Sequence, residues 1–275
     1  MEYVTRESRK YYLEENTLVM EGCNIKKNSE LEGLDNLKNL DCLYLGINNI
    51  SEIDGLDSLT NLKELHLNSN KIKEIKGLDA LESLEVLSLE DNQISNITGL
   101  DNLTSLRVLL LGGNRINEIQ GLEQLVNLEN LVFCDIHEGI GNSIEKIQGL
   151  DKLTKLKRLI LAHNKIMTIT GLDSLEQLEY LHLGDNQICE IRGLDTLINL
   201  DSLALHSNHI KEIKGLENLV NLRDLTLDNN EISKIDGLFH LKNLFRLDIF
   251  ANNLSDKEQL TELKAKLLKL KYFDA

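Results

Sequence analysis

Proline and tryptophan are absent from the chain, and aromatic residues of all kinds are few. Basic residues are also in short supply: 30 against 45 acidic ones, a formal net charge of -15. That sign argues against nucleic acid or an anionic membrane as the main partner, because phosphate recognition needs a basic face. No apolar run approaches the roughly 20 residues that span a bilayer. The opening Met1-Glu2-Tyr3-Val4-Thr5-Arg6-Glu7 is too polar for a secretory signal. Four cysteines, at 23, 42, 134 and 189, are too scattered for a disulfide framework. Reducing cytosol is the expected compartment. What remains is an ordinary soluble composition, 27% charged and 41% hydrophobic, over 275 residues that suit one or two domains.

The dominant feature is self-similarity. The frame Leu62-x-x-Leu65-x-Leu67-x-x-Asn70-x-Ile72-x-x-Ile75-x-Gly77-Leu78-x-x-Leu81 recurs 22 residues later from Leu84, then from Leu106 and Leu128. It resumes at Leu156, Leu178, Leu200, Leu222 and Leu244, and runs backward through Leu40 to a degenerate unit around Leu18. About eleven units result. Leu65 and Leu67 alternate with Glu64 and His66, the period of a half-buried strand. Ile72, Ile75, Leu78 and Leu81 turn inward as the chain winds back. One such coil cannot offset the entropy of ordering itself, so stacking must supply the difference.

Three polar or small columns run through the frame. Asparagine occupies positions 48, 70, 92, 114, 142, 164, 186, 208, 230 and 252. A buried amide needs partners, and here these are backbone groups of its own and the neighbouring coil. Cys23 takes the same place in the first unit as a structural substitute. Ten of the 17 glycines form a second column, from Gly33 to Gly237, where a tight turn or positive φ is expected. An acidic column (Asp35, Asp57, Asp79, Asp101, Glu123, Asp151, Asp173, Asp195, Glu217) falls where a short helical return should start. Its members read as N-terminal caps.

The ends and one interruption break the pattern. Residues 1–17 form an N-terminal cap, with residues 3–14 a short helix or an edge strand. Residues 18–254 form the array. Residues 255–275 form a C-terminal cap, opened by the capping box Ser255-Asp256-Lys257-Glu258. Leu260, Leu263, Leu267 and Leu270 follow at helical spacing, with Tyr272 and Phe273 closing the last coil. The step from Leu128 to Leu156 is 28, so six residues are extra. They fall within the insertion at 134–141, a surface loop or a protruding contact for a partner.

Function should lie on the strand face, where the positions between the leucines point outward. There Val86, Val108, Leu110, Val132 and Ile160 form an apolar centre, flanked by Tyr44, His66, Tyr180 and His182. An apolar stripe with a polar rim, where alternation alone would place polar residues, marks a protein-binding surface. His163, Asp185 and His206 lie near consecutive strand ends, with His182 close by. Imidazoles and a carboxylate suit zinc, but nothing in the sequence enforces their spacing, so no metal or other cofactor is expected. No serine–histidine–acid set or activated cysteine can be built, and no enzyme is expected.

These repeats are identified as leucine-rich repeats of the 22-residue class. The resemblance implies an α/β solenoid: a curved array with a parallel β-sheet on the concave face and short 3-10 or helical returns on the convex face. The segment Asn70 to Leu78 and the ending Leu270-Lys271-Tyr272-Phe273-Asp274-Ala275 resemble the leucine-rich-repeat regulatory subunit of protein phosphatase 1. That resemblance implies a concave face that grips a phosphatase catalytic subunit, with Tyr44, Glu64, Tyr180, Asp224 and Asp248 as candidate contacts. Bacterial internalins and spliceosomal and ciliary leucine-rich proteins are similar in class. Internalins usually carry a secretion signal and loop prolines, neither of which is seen here. The expected function is a non-enzymatic adaptor with a protein partner, the alternative being phosphatase regulation, and a monomer is expected for a capped solenoid.

Overall fold

In a computed structural model, residues 2–134, 139–255 and 257–275 are described. The chain divides into two compact units, residues 1–142 and 143–275. The first opens with an antiparallel hairpin, β1 (Tyr3–Arg6) and β2 (Arg9–Tyr12). It continues with parallel strands β3 (Thr17–Val19), β4 (Cys42–Tyr44), β5 (Glu64–His66), β6 (Val86–Ser88), β7 (Val108–Leu110) and β8 (Asn130–Val132). The second unit holds β9 (Arg158–Ile160), β10 (Tyr180–His182), β11 (Ser202–Ala204), β12 (Asp224–Thr226), β13 (Arg246–Asp248), helix α1 (Lys257–Lys266) and β14 (Tyr272–Asp274). Within each unit the strands pair in sequence order, and leucine stands against leucine: Leu43, Leu65, Leu87, Leu109 and Leu131 in the first, Leu159, Leu181, Leu203, Leu225 and Leu247 in the second.

Each coil is a leucine-rich loop of a solenoid. Its inward leucines and isoleucines are almost wholly buried, as Leu65, Leu67, Ile72, Leu78 and Leu81 illustrate. The asparagine column joins coil to coil. Asn92 Oδ1 accepts the Ile72 N–H of the preceding coil at 2.9 Å. Its Nδ2 donates back to Leu67 O at 3.0 Å and within its own coil to Leu89 O and Glu90 O. Cys23, in the same column of the first coil, donates from Sγ to Glu21 O. A second, exposed asparagine ladder escaped the sequence reading: Asn61, Asn127, Asn199, Asn221 and Asn243 each donate to a carbonyl of the preceding return.

The returns take the tighter of the two expected forms, 3-10-like rather than helical. They are turns closed by i→i+3 bonds, such as Leu59 N–H to Leu56 O and Leu62 N–H to Leu59 O. Among the described residues only Asn28–Glu30, Leu34–Asn36 and Asp236–Leu238 reach a turn of 3-10 helix. Bonds that reach back only three residues, packed between inward leucines, leave no room for α-helix. Most of the acidic column therefore has no helix to cap. Asp35 sits in the first turn of Leu34–Asn36, and Glu217 accepts the Gly215 N–H at 3.2 Å. The glycine column has a steric reason as well as a conformational one. Gly99 has φ +67°, and a Cβ there would lie 2.5 Å from Ile75 O of the coil before. Gly237 lacks positive φ, yet its Cβ would also strike the preceding coil at Ile213 O.

At the N-terminal end the chain forms strands rather than a helix. Arg6, only 8% exposed, donates to Cys23 O at 2.6 Å and Asn24 O at 3.0 Å, pinning the hairpin to the first coil. At the other end α1 buries Leu263, and Leu267 just beyond it is also buried, while Leu268 stays open. Tyr272 and Phe273 lie in β14, which extends the sheet beside β13. Asp256 of the capping box lies outside the described residues, as do positions 135–138 of the insertion. The repeat regains its phase at once after the insertion. Gly113 N–H donates to Ile140 O, and Asn142 Nδ2 reaches Phe133 O across nine positions instead of three.

Replacing Asn92 by leucine strands donors and acceptors in two coils. Urea unfolding should show a loss of about 3 kcal/mol or more, whereas Asn102→Ala, which removes an exposed bond to Asp79 O, should cost under about 1 kcal/mol. Equal losses would contradict the ladder's role. Ile47 holds a left-handed backbone (φ 55°) while 62% exposed, in a column shared with Ser69, Asp91, Asp185 and Asn229. A β-branched residue is strained there, so Ile47→Asn should raise stability by about 1 kcal/mol. An unchanged or lower urea midpoint would refute this.

Candidate binding face

Register turns sequence columns into surface columns. In the first unit Tyr44, His66, Ser88, Leu110 and Val132 stand in one line, and Cys42, Glu64, Val86, Val108 and Asn130 in the other. Neighbours within a line are about 4.8 Å apart. Tyr44 and His66 stack with ring centroids 4.3 Å apart and planes 6° apart. Glu64 serves both: the Tyr44 hydroxyl donates to its Oε2 at 3.3 Å, and His66 Nε2 lies 3.4 Å from the same oxygen. Burial, with Glu64 beside it, pushes the Tyr44 hydroxyl pKa up. Burial likewise raises the Cys42 thiol, the opposite of what a thiolate nucleophile needs. Val86, Val108 and Leu110 are half-buried on this face.

Two expected members of the open apolar centre are not open. Val132 is 7% exposed and Ile160 1%. Each stands beside a larger side chain on the adjacent strand, Leu110 for Val132 and His182 for Ile160, which shades it at this spacing. Neither can offer the area that a hydrophobic contact requires.

In the second unit Tyr180 lies under the Arg158 guanidinium, 4.0 Å from the ring centroid, and edge-on to His182. His182 begins a chain of polar contacts. Its Nε2 is 3.1 Å from His206 Nε2, His206 Nδ1 is 3.4 Å from Asp185 Oδ2, and that oxygen is 3.5 Å from His163 Nε2. The four residues that sequence proximity suggested are thus in one network. His182 and His206 sit 24 positions apart, a diagonal across the repeat rather than a step along it. Burial holds the His182 pKa down to about 4; His206, His163 and Arg158 push the same way and Asp185 opposes them. The Arg158–Tyr180 pair and the double use of Glu64 escaped sequence reasoning, though the frame already places each pair on adjacent strands.

Residues 38–80, 60–102, 154–197 and 198–240 match the family described as leucine-rich repeats (two copies). These segments cover more than half of the chain. The chain is a leucine-rich repeat protein. Among solved structures it is similar to an internalin (InlF) from Listeria monocytogenes, at 27% identity over 94% of this chain and 79% of that one, with a TM-score of 0.74. Internalin C2 from the same organism is 31% identical over 70% of this chain and 82% of that one, with a TM-score of 0.64. A leucine-rich repeat protein from Leptospira interrogans is 26% identical over 88% and 74%, with a TM-score of 0.68. No curated protein matches the sequence. The similarity is therefore to internalin-type repeats, despite the absence of proline, and the phosphatase-regulator resemblance rests on the repeat frame and the closing segment alone. Leucine-rich repeat proteins of internalin type generally act in protein–protein interaction. Among the described residues no helix is long and apolar enough to cross a membrane.

The depressed His182 pKa has a consequence for stability. The unfolded imidazole takes up its proton near pH 6.5 and the folded one near 4. The contribution of neutral His182 is whole above about pH 6.5 and drains away as the pH falls toward 4. Thermal unfolding of His182→Gln should therefore show a shallower fall in Tm over that window than the wild type. Parallel curves would show that His182 does not carry the effect.

Proposed function

We propose that this leucine-rich repeat protein is a non-enzymatic scaffold that binds a partner protein on the outer face of its sheet. The observation that carries the reading is the half-buried apolar group Val86, Val108 and Leu110, with the Tyr44–His66 stack and Glu64 on the adjoining strands of the same unit. Apolar area ringed by aromatic and charged side chains is the composition of a contact centre. Tyr180 and His182 form a second, separate patch on the other unit. In this reading residues 18–254 are the binding body, and residues 1–17 and 255–275 close its ends. Among the described residues the four cysteines form no disulfide, which suits a reducing compartment, the cytosol, and the capped ends suit a monomer.

A finer reading makes the partner a phosphatase catalytic subunit. Its support is the 22-residue frame, the Tyr272-Phe273-Asp274 strand seated beside β13, and the acidic side chains Glu64, Asp224 and Asp248 on the strand face.

The test is affinity capture from lysate of the source cells with wild type and with Val108→Asp/Leu110→Asp, both positions being partly exposed. Ile160→Asp is unsuitable, because a charge at a 1% exposed position would unfold the coil. A partner lost in the folded double variant supports the scaffold reading, with a loss of at least tenfold in affinity expected for central contacts. A phosphatase catalytic subunit among the lost proteins supports the finer reading. Partners retained equally by both proteins overturn the assignment of this face.

A further inference from the structure

We infer that His182 and His206 form an open two-imidazole site for a divalent transition-metal ion of the zinc class. The two rings come from neighbouring coils of the second unit: His182 ends β10, and His206 follows β11 by two residues. Their Nε2 atoms face each other at 3.1 Å. Two nitrogens bound to one tetrahedral zinc at about 2.0–2.1 Å stand about 3.3 Å apart. A few tenths of an ångström in nitrogen–nitrogen distance, together with a turn of the rings toward a shared ion, separate the observed pair from a chelating one.

The surroundings fix the chemistry of the pair. Asp185 lies behind His206, its Oδ2 3.4 Å from Nδ1. A carboxylate on that side favours the tautomer with the ring proton on Nδ1 and the lone pair on Nε2, the outer-shell arrangement that orients metal-binding imidazoles. His163 Nε2 lies 3.5 Å from the same carboxylate oxygen. Gly184 makes the space. Its backbone is not in the left-handed region, so φ does not demand glycine. A Cβ at 184 would instead collide with Nε2 and Cε1 of His206. The lack of a side chain at 184 is what lets the His206 ring lie toward His182.

In the metal-free pair one Nε2 carries the shared proton. With Nδ1 of His206 committed to Asp185, that proton belongs to His182. When the ion takes both Nε2 atoms, the His182 proton moves to its own Nδ1, so both ligands stay neutral and no net proton is released. Among the described residues no group of three or more histidine, cysteine, aspartate or glutamate side chains could hold a metal ion. The site is therefore a two-point one with its remaining positions open to water. Its affinity should be micromolar rather than that of a closed structural zinc site, and the side chain of His206 is 27% exposed, which gives the ion a path in.

The experiment is isothermal titration calorimetry of ZnCl2 into the full chain, in a Cys189→Ser background that removes the exposed thiol. One zinc per chain is expected, with affinity falling at least tenfold in His182→Gln and in His206→Gln. Gly184→Ala should give a comparable loss with both histidines intact, by displacing the His206 ring. Asp185→Asn should weaken binding about tenfold. Zinc should also raise the Tm of the parent protein but not of either histidine variant. The inference is overturned if His206→Gln binds zinc as the parent does, or if the parent binds no more than the His182→Gln/His206→Gln double variant. Neither result bears on protein binding by the first unit, so the two readings fail separately.

Discussion

The buried asparagine amide is the interaction on which the architecture turns. Asn92 shows the pattern: it accepts a backbone N–H from the coil before it and donates to carbonyls in both coils. An amide that bridges two coils can do so only if they have the same length and phase. An error of one residue would strand several buried donors and acceptors, each costing on the order of 1–3 kcal/mol. The 22-residue spacing is the covalent trace of that requirement. The leucines fill the interior, but a hydrophobic core tolerates small shifts that a hydrogen-bonded ladder does not.

Strict phase also determines what the sheet face can display. Neighbouring strands place equivalent residues side by side, so the surface is composed by columns and not by local motifs. Tyr44 stacks on His66 because they occupy the same slot in adjacent coils. The same geometry makes accessibility depend on neighbours. Val132 and Ile160 sit in outward slots and are nonetheless covered, whereas Val86, Val108 and Leu110 keep part of their area. Polar contacts that run diagonally, such as His182 to His206, arise where the loop after one strand folds toward the end of the previous one.

Most of the fold was legible in the sequence because period 22 is repeated often enough to separate constraint from accident. Strand positions, inward aliphatic residues and the asparagine ladder all followed from it. Which of the two expected forms the returns take did not. Leu-x-x-Leu spacing suits a helix and a run of i→i+3 turns equally, and packing between the inward leucines decided for turns. The left-handed column at Ile47, Ser69, Asp91, His163 and Asp185 was hidden because its residue types differ from coil to coil. The N-terminal segment gave two readings, and Arg6 settles it as a hairpin by reaching Cys23 O and Asn24 O. At the candidate face, residue identity was readable but burial was not, since burial depends on which side chain stands 22 positions away.

The interruption after β8 shows how chain length can be uncoupled from architecture. The bonds from Gly113 to Ile140 and from Asn142 to Phe133 clamp the two ends of the extra segment into the same places that an uninterrupted coil would use. Closing a loop between fixed ends costs entropy that grows slowly with length, by about 0.6 kcal/mol for each doubling. This point of the molecule is thus a port. Peptides of other lengths and chemistries can be spliced in between Cys134 and Ile140 while the coils on either side keep their count, which gives lineages and protein engineers alike a place to vary the molecule without rebuilding it.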